Sequence, residues 1–167
     1  SYICRELEEL ALQVSLRKPR DHDLIINVPP GSTKTILVSI MFPVWCWTKW
    51  PWMRFITASY SGALSLESAE TSRELIRSEE FQRIFPDIDF KPDKDTKSNF
   101  KVIKKHYETT RKGYAPSHTS GGYRFSASVG GTLMGFHADI LIVDDPLNPQ
   151  QSASEIELQN ANRWMSQ

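Results

Sequence analysis

The stretch Val28-Pro29-Pro30-Gly31-Ser32-Thr33-Lys34-Thr35 lies between two apolar runs, Leu24-Ile25-Ile26 and Ile36-Leu37-Val38. This order predicts a buried strand over 24–28, a tight loop carrying Lys-Thr, and a helix over 33–42. Such a loop suits phosphate. The first turn of a helix has backbone N–H groups without intrahelical acceptors, and the helix dipole is positive at that end. Lys34 adds a mobile charge for the outer phosphates, and the Thr35 hydroxyl suits a magnesium ion. The pattern departs from G-x-x-x-x-G-K-[ST], because Val28 and Thr33 stand at the two glycine positions. Pro29 and Pro30 have no N–H. Of the candidate loop Pro30-Gly31-Ser32-Thr33-Lys34-Thr35, the amides from Gly31 onward would therefore carry the phosphates. The bland alternative for this stretch is an ordinary strand, loop and helix with a surface lysine, and the nucleotide reading stands ahead of it.

A second stretch strengthens the nucleotide reading. Ala138-Asp139-Ile140-Leu141-Ile142-Val143-Asp144-Asp145-Pro146 is an apolar run ending in two carboxylates. A strand apolar at every position is expected to be covered on both faces, as in a parallel sheet between helices. Pro146 is expected to stop the strand and to hold Asp145 extended. Acids at the carboxyl end of such a strand face the crevice where open α/β sheets bind ligands. One can hold magnesium and the other can orient or deprotonate a water. The bland alternative is a strand end with two solvated acids. The two stretches together point to a P-loop NTPase using Mg2+ and ATP.

Length and charge set outer bounds. The chain has 167 residues and a formal net charge of zero, which predicts one domain and no bulk attraction for nucleic acid. Cys4 and Cys46 lack metal-ligand spacing and read as reduced thiols of a cytosolic protein. His22, His106, His118 and His137 form no zinc-type pair, and no run is long or apolar enough for a membrane span or a signal peptide.

Along the rest of the chain, Ile3, Leu7, Leu10 and Val14 predict an amphipathic helix over 2–17, and Pro43 is expected to close the helix that starts at 33. Residues 44–52 hold four of the five tryptophans, read as aromatic packing ahead of a docking or adenine-stacking surface. Residues 54–60 read as a core strand and 63–79 as a helix with Leu64, Leu75 and Ile76 inward; Phe81, Ile84 and Phe85 are expected to pack the loop ending at Pro86. Residues 87–121 look least regular. Phe100 and Val102 suggest a strand, while Phe100, Ile103 and Tyr107 suit a helix equally well. From Lys91 to Lys112 there are eight Lys/Arg and three acids, Asp93, Asp95 and Glu108. Such a run fits a solvated face first and a DNA-tracking patch second. Residues 122–128 alternate like a strand, and Val129-Gly130-Gly131-Thr132-Leu133-Met134-Gly135 reads as a long turn or a moving loop. Ser152 to Glu155 fits a capping box for a helix with Leu158, Ala161 and Met165 on one face. That helix meets the end of the chain without a stop signal, which suggests truncation.

With these blocks placed, the chain resembles the ATPase domain of a bacteriophage terminase large subunit, a DNA-packaging motor. The resemblance spans nearly all of residues 1–167. It rests on Ile25 to Thr35, Arg54 to Ser61, Ser126 to Thr132 and Ile142 to Pro146, in that order. It implies an α/β fold of the RecA-like (ASCE) P-loop class, three layers with a mainly parallel sheet flanked by helices. It also implies ATP hydrolysis in the host cell cytoplasm, coupled to translocation of double-stranded DNA into a procapsid. The implied partners are a portal protein and a small terminase subunit, with the motor a ring of like subunits and the isolated chain a monomer. By the same resemblance Lys34 would touch the outer phosphates, and Thr35 and Asp144 would hold magnesium. Asp145 would position the attacking water, although many members of the family have glutamate there.

Three departures accompany the likeness. Family members often offer an arginine to a neighbour's ATP from the loop before the acidic strand. Here that loop reads Met134-Gly135-Phe136-His137, which leaves Arg124 as the substitute candidate and a cation from elsewhere as its equal alternative. The strand that couples hydrolysis to motion, expected between the loop strand and the acidic strand, is not represented. The nuclease domain is absent too, so no nuclease activity is expected. The competing readings are a helicase-like or other P-loop ATPase, and a nucleotide- or DNA-binding fragment without turnover.

Overall fold

The computed structural model describes residues 2–19, 22–29, 31–111, 113–133, 135–148 and 150–166, with the side chains of 93–95 left aside. Helix α1 (Tyr2–Ser15) buries Leu7 and Ala11, so the amphipathic reading holds. Residues 22–29 then run without pairing to any strand. The expected strand over 24–28 is therefore corrected. Leu24, Ile26 and Val28 are half-buried while Ile25 is 88% exposed. The segment offers one apolar side, yet it lies in no sheet.

The helix that begins at Lys34 passes through a π-helical segment (Ile36–Met41) into α2 (Phe42–Lys49). Pro43 does not end it. A proline in a helix loses one N–H, and its ring presses on the carbonyl four residues back, here that of Ser39. The wider π turn relieves that contact: the Phe42 N–H donates to Leu37 O, five residues back. The tryptophan-rich stretch is core packing. Trp47 is fully buried, donates to Met53 O at 2.9 Å, and meets Phe55 and Phe100 edge-on with centroids at 5.5 and 5.8 Å.

Strand β1 (Arg54–Ser59) leads into α3 (Gly62–Arg77) and the short α4 (Glu79–Ile84). The inward side of α3 is Ser65, Ser68, Ala69, Ser72 and Ile76, whereas Leu64, expected inside, is 42% exposed. Ile84 is exposed too, while Phe81 and Phe85 pack together. Residues 87–121, read as irregular, are mostly strand: β2 (Ile88–Asp95), β3 (Asn99–Thr110) and β4 (Gly113–Ser128), the last two a long hairpin. Between Phe100 and Tyr107 the strand alternative holds. Strand β5 (Ile140–Val143) follows a glycine-containing loop.

The sheet order is β2-β3-β4-β1-β5. β1 runs parallel to both β4 and β5, and β3 is antiparallel to β2 and β4. Four of the five strands thus point one way, and the fold is α/β with a mixed open sheet flanked by helices. Register puts Phe90, Phe100, Arg124, Phe55, Thr57, Ile140 and Ile142 on one face, all buried. Ser65 of α3 and the rings of α2 lie against it. On the other face Phe136 stacks on Phe125 at 3.8 Å. Gly122 is required by close approach: an added Cβ would sit 2.1 Å from Pro51 O. β5 is an edge strand with one face left open: Leu141 is 43% exposed, and the expectation of cover on both faces is corrected.

A 3-10 turn (Gln151–Ala153) precedes α5 (Glu155–Met165). The cap is Ser154, which accepts from the Glu157 N–H, not Ser152. The same S-x-x-E spacing recurs two residues later, which misplaced the capping box. Ala161 and Trp164 are buried, while Leu158 and Met165 are exposed. Trp164 donates to Gly131 O at 2.8 Å and ties α5 to the glycine-containing loop.

Candidate active site

Gly31 (φ 78°) and Thr33 (φ 61°) turn the chain, the Ser32 N–H donates to Pro29 O at 3.3 Å, and helix begins at Lys34. Space around Gly31 is open, so backbone conformation rather than crowding favours glycine there. A positive φ at a β-branched residue such as Thr33 is uncommon. Pro30 lies outside the described residues.

The carboxyl ends of β1 and β5 lie side by side. Asp144 N–H donates to Ala58 O at 2.8 Å, and Tyr60 N–H donates to Asp145 O at 3.0 Å. These bonds carry the strand pairing one step beyond Val143 and fix both acids at the sheet's edge. Asp145 has φ 48°, left-handed rather than extended as Pro146 was expected to impose. Aspartate tolerates this conformation better than most residues.

Lys34 Nζ lies 2.6 Å from Asp145 Oδ1 and 3.2 Å from Asp144 Oδ1. The second oxygen of Asp144 accepts from Ser39 Oγ at 3.0 Å. The structure thus brings Lys34, Asp144 and Asp145 together. Beside them is a cleft of about 270 Å³ lined with hydroxyls from Thr35, Ser39, Thr57, Ser59, Ser65 and Ser68, and with both acids. Partial burial pulls the Lys34 ammonium towards its neutral form, but hydrogen bonds and charges from Asp145 and Asp144 outweigh this and raise its pKa. The acids differ in exposure: the Asp144 side chain is 16% exposed and that of Asp145 63%. A half-buried, twice-bonded carboxylate suits a fixed ligand, and an exposed one suits a mobile contact with water.

Among the described residues no three His, Cys, Asp or Glu side chains converge to hold a metal. The oxygen donors Thr35 and Asp144 on one cleft nevertheless fit magnesium, which keeps several waters and takes few protein ligands. The ammonium of Lys34 already sits against both carboxylates, so the acids accept a cation at this spot.

Arg124 is corrected as the candidate offered to a neighbour. Its side chain is wholly buried, with Nε donating to Thr57 Oγ1 at 3.2 Å and Nη1 to Ser39 O and Ser72 Oγ, both at 2.7 Å. Nη2 has no partner, and burial lowers the guanidinium pKa to about 9. β-Strand alternation puts residue 124 on the helix-covered face, which the sequence reading did not resolve. Ser39 and Thr57 were missed altogether. A lone serine inside Ile36-Leu37-Val38-Ser39-Ile40-Met41 was the available signal for the first.

The basic stretch is less cationic than its composition. Lys97 pairs with Glu70, Lys104 with Asp87 at 3.3 Å, and Lys105 with Asp89, acids contributed from before Lys91. A larger cleft of about 660 Å³, bordered by Arg17, Trp52, Arg54 and Asp139, opens at the opposite end of β1. Two of its polar residues are occupied with each other: Asp139 accepts from the Arg54 backbone N–H, Nε and Nη2 at 2.8, 3.0 and 2.9 Å. No helix among the described residues is long and apolar enough to cross a membrane. Compared with models of known protein families and with curated proteins, the chain matches none.

Proposed function

We propose that the chain is a Mg2+-dependent ATPase of the P-loop class, the ATPase part of a viral DNA-packaging motor. One observation carries the nucleotide reading: Lys34 at a helix start meets Asp144 and Asp145 at a strand tip, beside a hydroxyl-lined cleft. In this reading the amides of Gly31 to Thr35 receive the phosphates and Lys34 leaves Asp145 to neutralise the outer ones. Thr35 and Asp144 hold magnesium, which when bound offsets charge on the phosphates. Asp145, exposed and released from Lys34, orients the attacking water. Positioning and charge neutralisation supply most of the barrier lowering in phosphoryl transfer. Translocation of double-stranded DNA, a ring of subunits, and a portal and small-subunit partnership rest on the resemblance of the four sequence blocks. The pairing of Lys97, Lys104 and Lys105 with acids weakens the local case for a DNA-tracking patch there.

A second reading, nucleotide binding without turnover, is favoured by one feature: the segment over 24–28 that leads into the loop is not anchored in the sheet. A loop free at that side holds phosphate less firmly for in-line attack. Single-turnover incubation with excess chain, radiolabelled ATP and Mg2+ separates the two. Conversion of bound ATP to ADP, lost in Lys34→Ala, supports the ATPase. Stoichiometric binding with no ADP supports the second reading, and no binding removes both.

A further inference from the structure

Ser39 reaches two places at once. Its hydroxyl donates to Asp144 Oδ2 at 3.0 Å, and its carbonyl accepts from Arg124 Nη1 at 2.7 Å. It is 1% exposed and lies within the π-helical segment Ile36–Met41. The segment has a local cause, because Pro43 presses on the Ser39 carbonyl and cannot donate to it. The π register turns this crowding to use, and Arg124 supplies a donor to the carbonyl that Pro43 leaves short in the α register.

Arg124 is an expensive residue for that job. It is wholly buried, and its three bonded acceptors are the neutral oxygens Ser39 O, Ser72 Oγ and Thr57 Oγ1. A neutral polar side chain would meet those acceptors at less cost, since burying a charge is far costlier than burying an amide or hydroxyl. The guanidinium offers rigid, forked geometry instead, joining the helix to β1 and to α3. Ser39, held by its backbone, then holds the carboxylate.

We propose that Ser39 is a positioning residue for Asp144, fixing its Oδ2 so that Oδ1 is presented to the cation, and that Arg124 holds the π turn in the register this requires. The inference rests on the proposed Mg2+-nucleotide reading of the same site. Hydrogen bonds to a metal-binding carboxylate typically tune metal affinity by about 10–100-fold when removed. Ser39→Ala deletes the hydroxyl, and alanine's better helix propensity offsets part of the lost hydrogen bond, so the fold is expected to survive the change.

The test is a titration of Mg2+ into the chain with a fluorescent ATP analogue, read as the metal concentration giving half the metal-dependent signal. Mn2+ binding followed by electron paramagnetic resonance in the same mixture gives a second readout. Ser39→Ala is expected to raise the half-saturating Mg2+ concentration by roughly tenfold, with nucleotide affinity in EDTA within about twofold and the thermal midpoint lowered by no more than about 2–4 °C. Arg124→Lys is expected to shift the metal titration in the same direction, and the double variant to fall short of the product of the single effects. An unchanged metal titration in Ser39→Ala, with the wild type binding Mg2+ and nucleotide, overturns the positioning role and leaves the proposed function standing. A wild type that binds no nucleotide under any condition overturns the proposed function and this inference with it. Should Arg124→Lys fail to fold, Ser39→Ala decides alone.

Discussion

The Lys34 ammonium lies 2.6 Å from the Asp145 carboxylate although 111 positions separate them in the chain. In the proposed ATPase, Asp145 and the outer phosphates compete for the same cation. Asp145→Asn removes the competitor, so nucleotide affinity without metal is expected to rise. Hydrolysis is expected to fall by roughly 10²–10⁴-fold, the usual contribution of a positioned base. Equilibrium binding of a fluorescent ATP analogue and quenched-flow ADP formation measure the two. Equal turnover by wild type and Asp145→Asn would remove Asp145 from the chemistry. Lys34→Ala is expected to lose turnover altogether.

Acid stability is expected to hang in part on Arg54 and Asp139. Burial works to raise the Asp139 pKa, but the Arg54 hydrogen bonds and charge outweigh it and hold the carboxyl below its usual range. A depressed folded pKa contributes stability that is full above the unfolded value and is lost as pH falls through the folded one. Wild type should therefore lose stability below the usual aspartate range, and Asp139→Asn should show a flatter acid limb. At neutral pH the variant is expected to cost about 1–2 kcal/mol, given that the Arg54 side chain is 38% exposed. Urea midpoints across pH 2–7 test both statements. Lys34 has the opposite sign: its raised pKa contributes stability below the usual lysine value, lost as pH rises through the folded one.

The tryptophan at the centre of the helical face is expected to carry more stability than any surface contact. Trp47 is 0% exposed and packs on Phe55 and Phe100. Trp47→Ala leaves a cavity and is expected to cost about 3–5 kcal/mol. Trp47→Phe keeps the ring contacts, loses the bond to Met53 O, and is expected to cost less. Chemical denaturation of the two variants gives the order.

Gly122 tests the close passage of the chain before β1. Its hypothetical Cβ meets backbone, Pro51 O at 2.1 Å, not a side chain able to swing away. Gly122→Ala must shift the 51–53 segment or β4, and is expected to cost about 3 kcal/mol or more. Gly31→Ala, with open space around it, is expected to pay only for its positive φ, about 1 kcal/mol. Thermal melts of the pair separate crowding from backbone conformation.

Much of this molecule was written locally. The spacing of Ile3, Leu7, Leu10 and Val14 in α1, the run from Phe55 to Ser59, and the apolar approach to Asp144 each state their element because period and burial follow directly from side-chain direction. The candidate pair of Lys34 with the two acids was legible too, since phosphate and metal chemistry demand those residue types at a helix start and a strand end. Other features depended on partners far away in the chain. Whether Phe100 to Tyr107 became strand was settled by pairing with residues 116–124, a contact that neighbouring residues do not encode. Arg124 could be read as exposed or buried until β4 was set between β1 and β3. The segment over 24–28 had every mark of a strand, yet a strand also needs an edge to pair with, and pattern alone does not provide one. Ser39 meets Asp144 across 105 positions of chain, from a π-helical turn whose Ser39 carbonyl Arg124 bonds. Periodicity acts over a few residues and survives in one dimension, whereas pairing, burial and helix register depend on which distant surfaces meet.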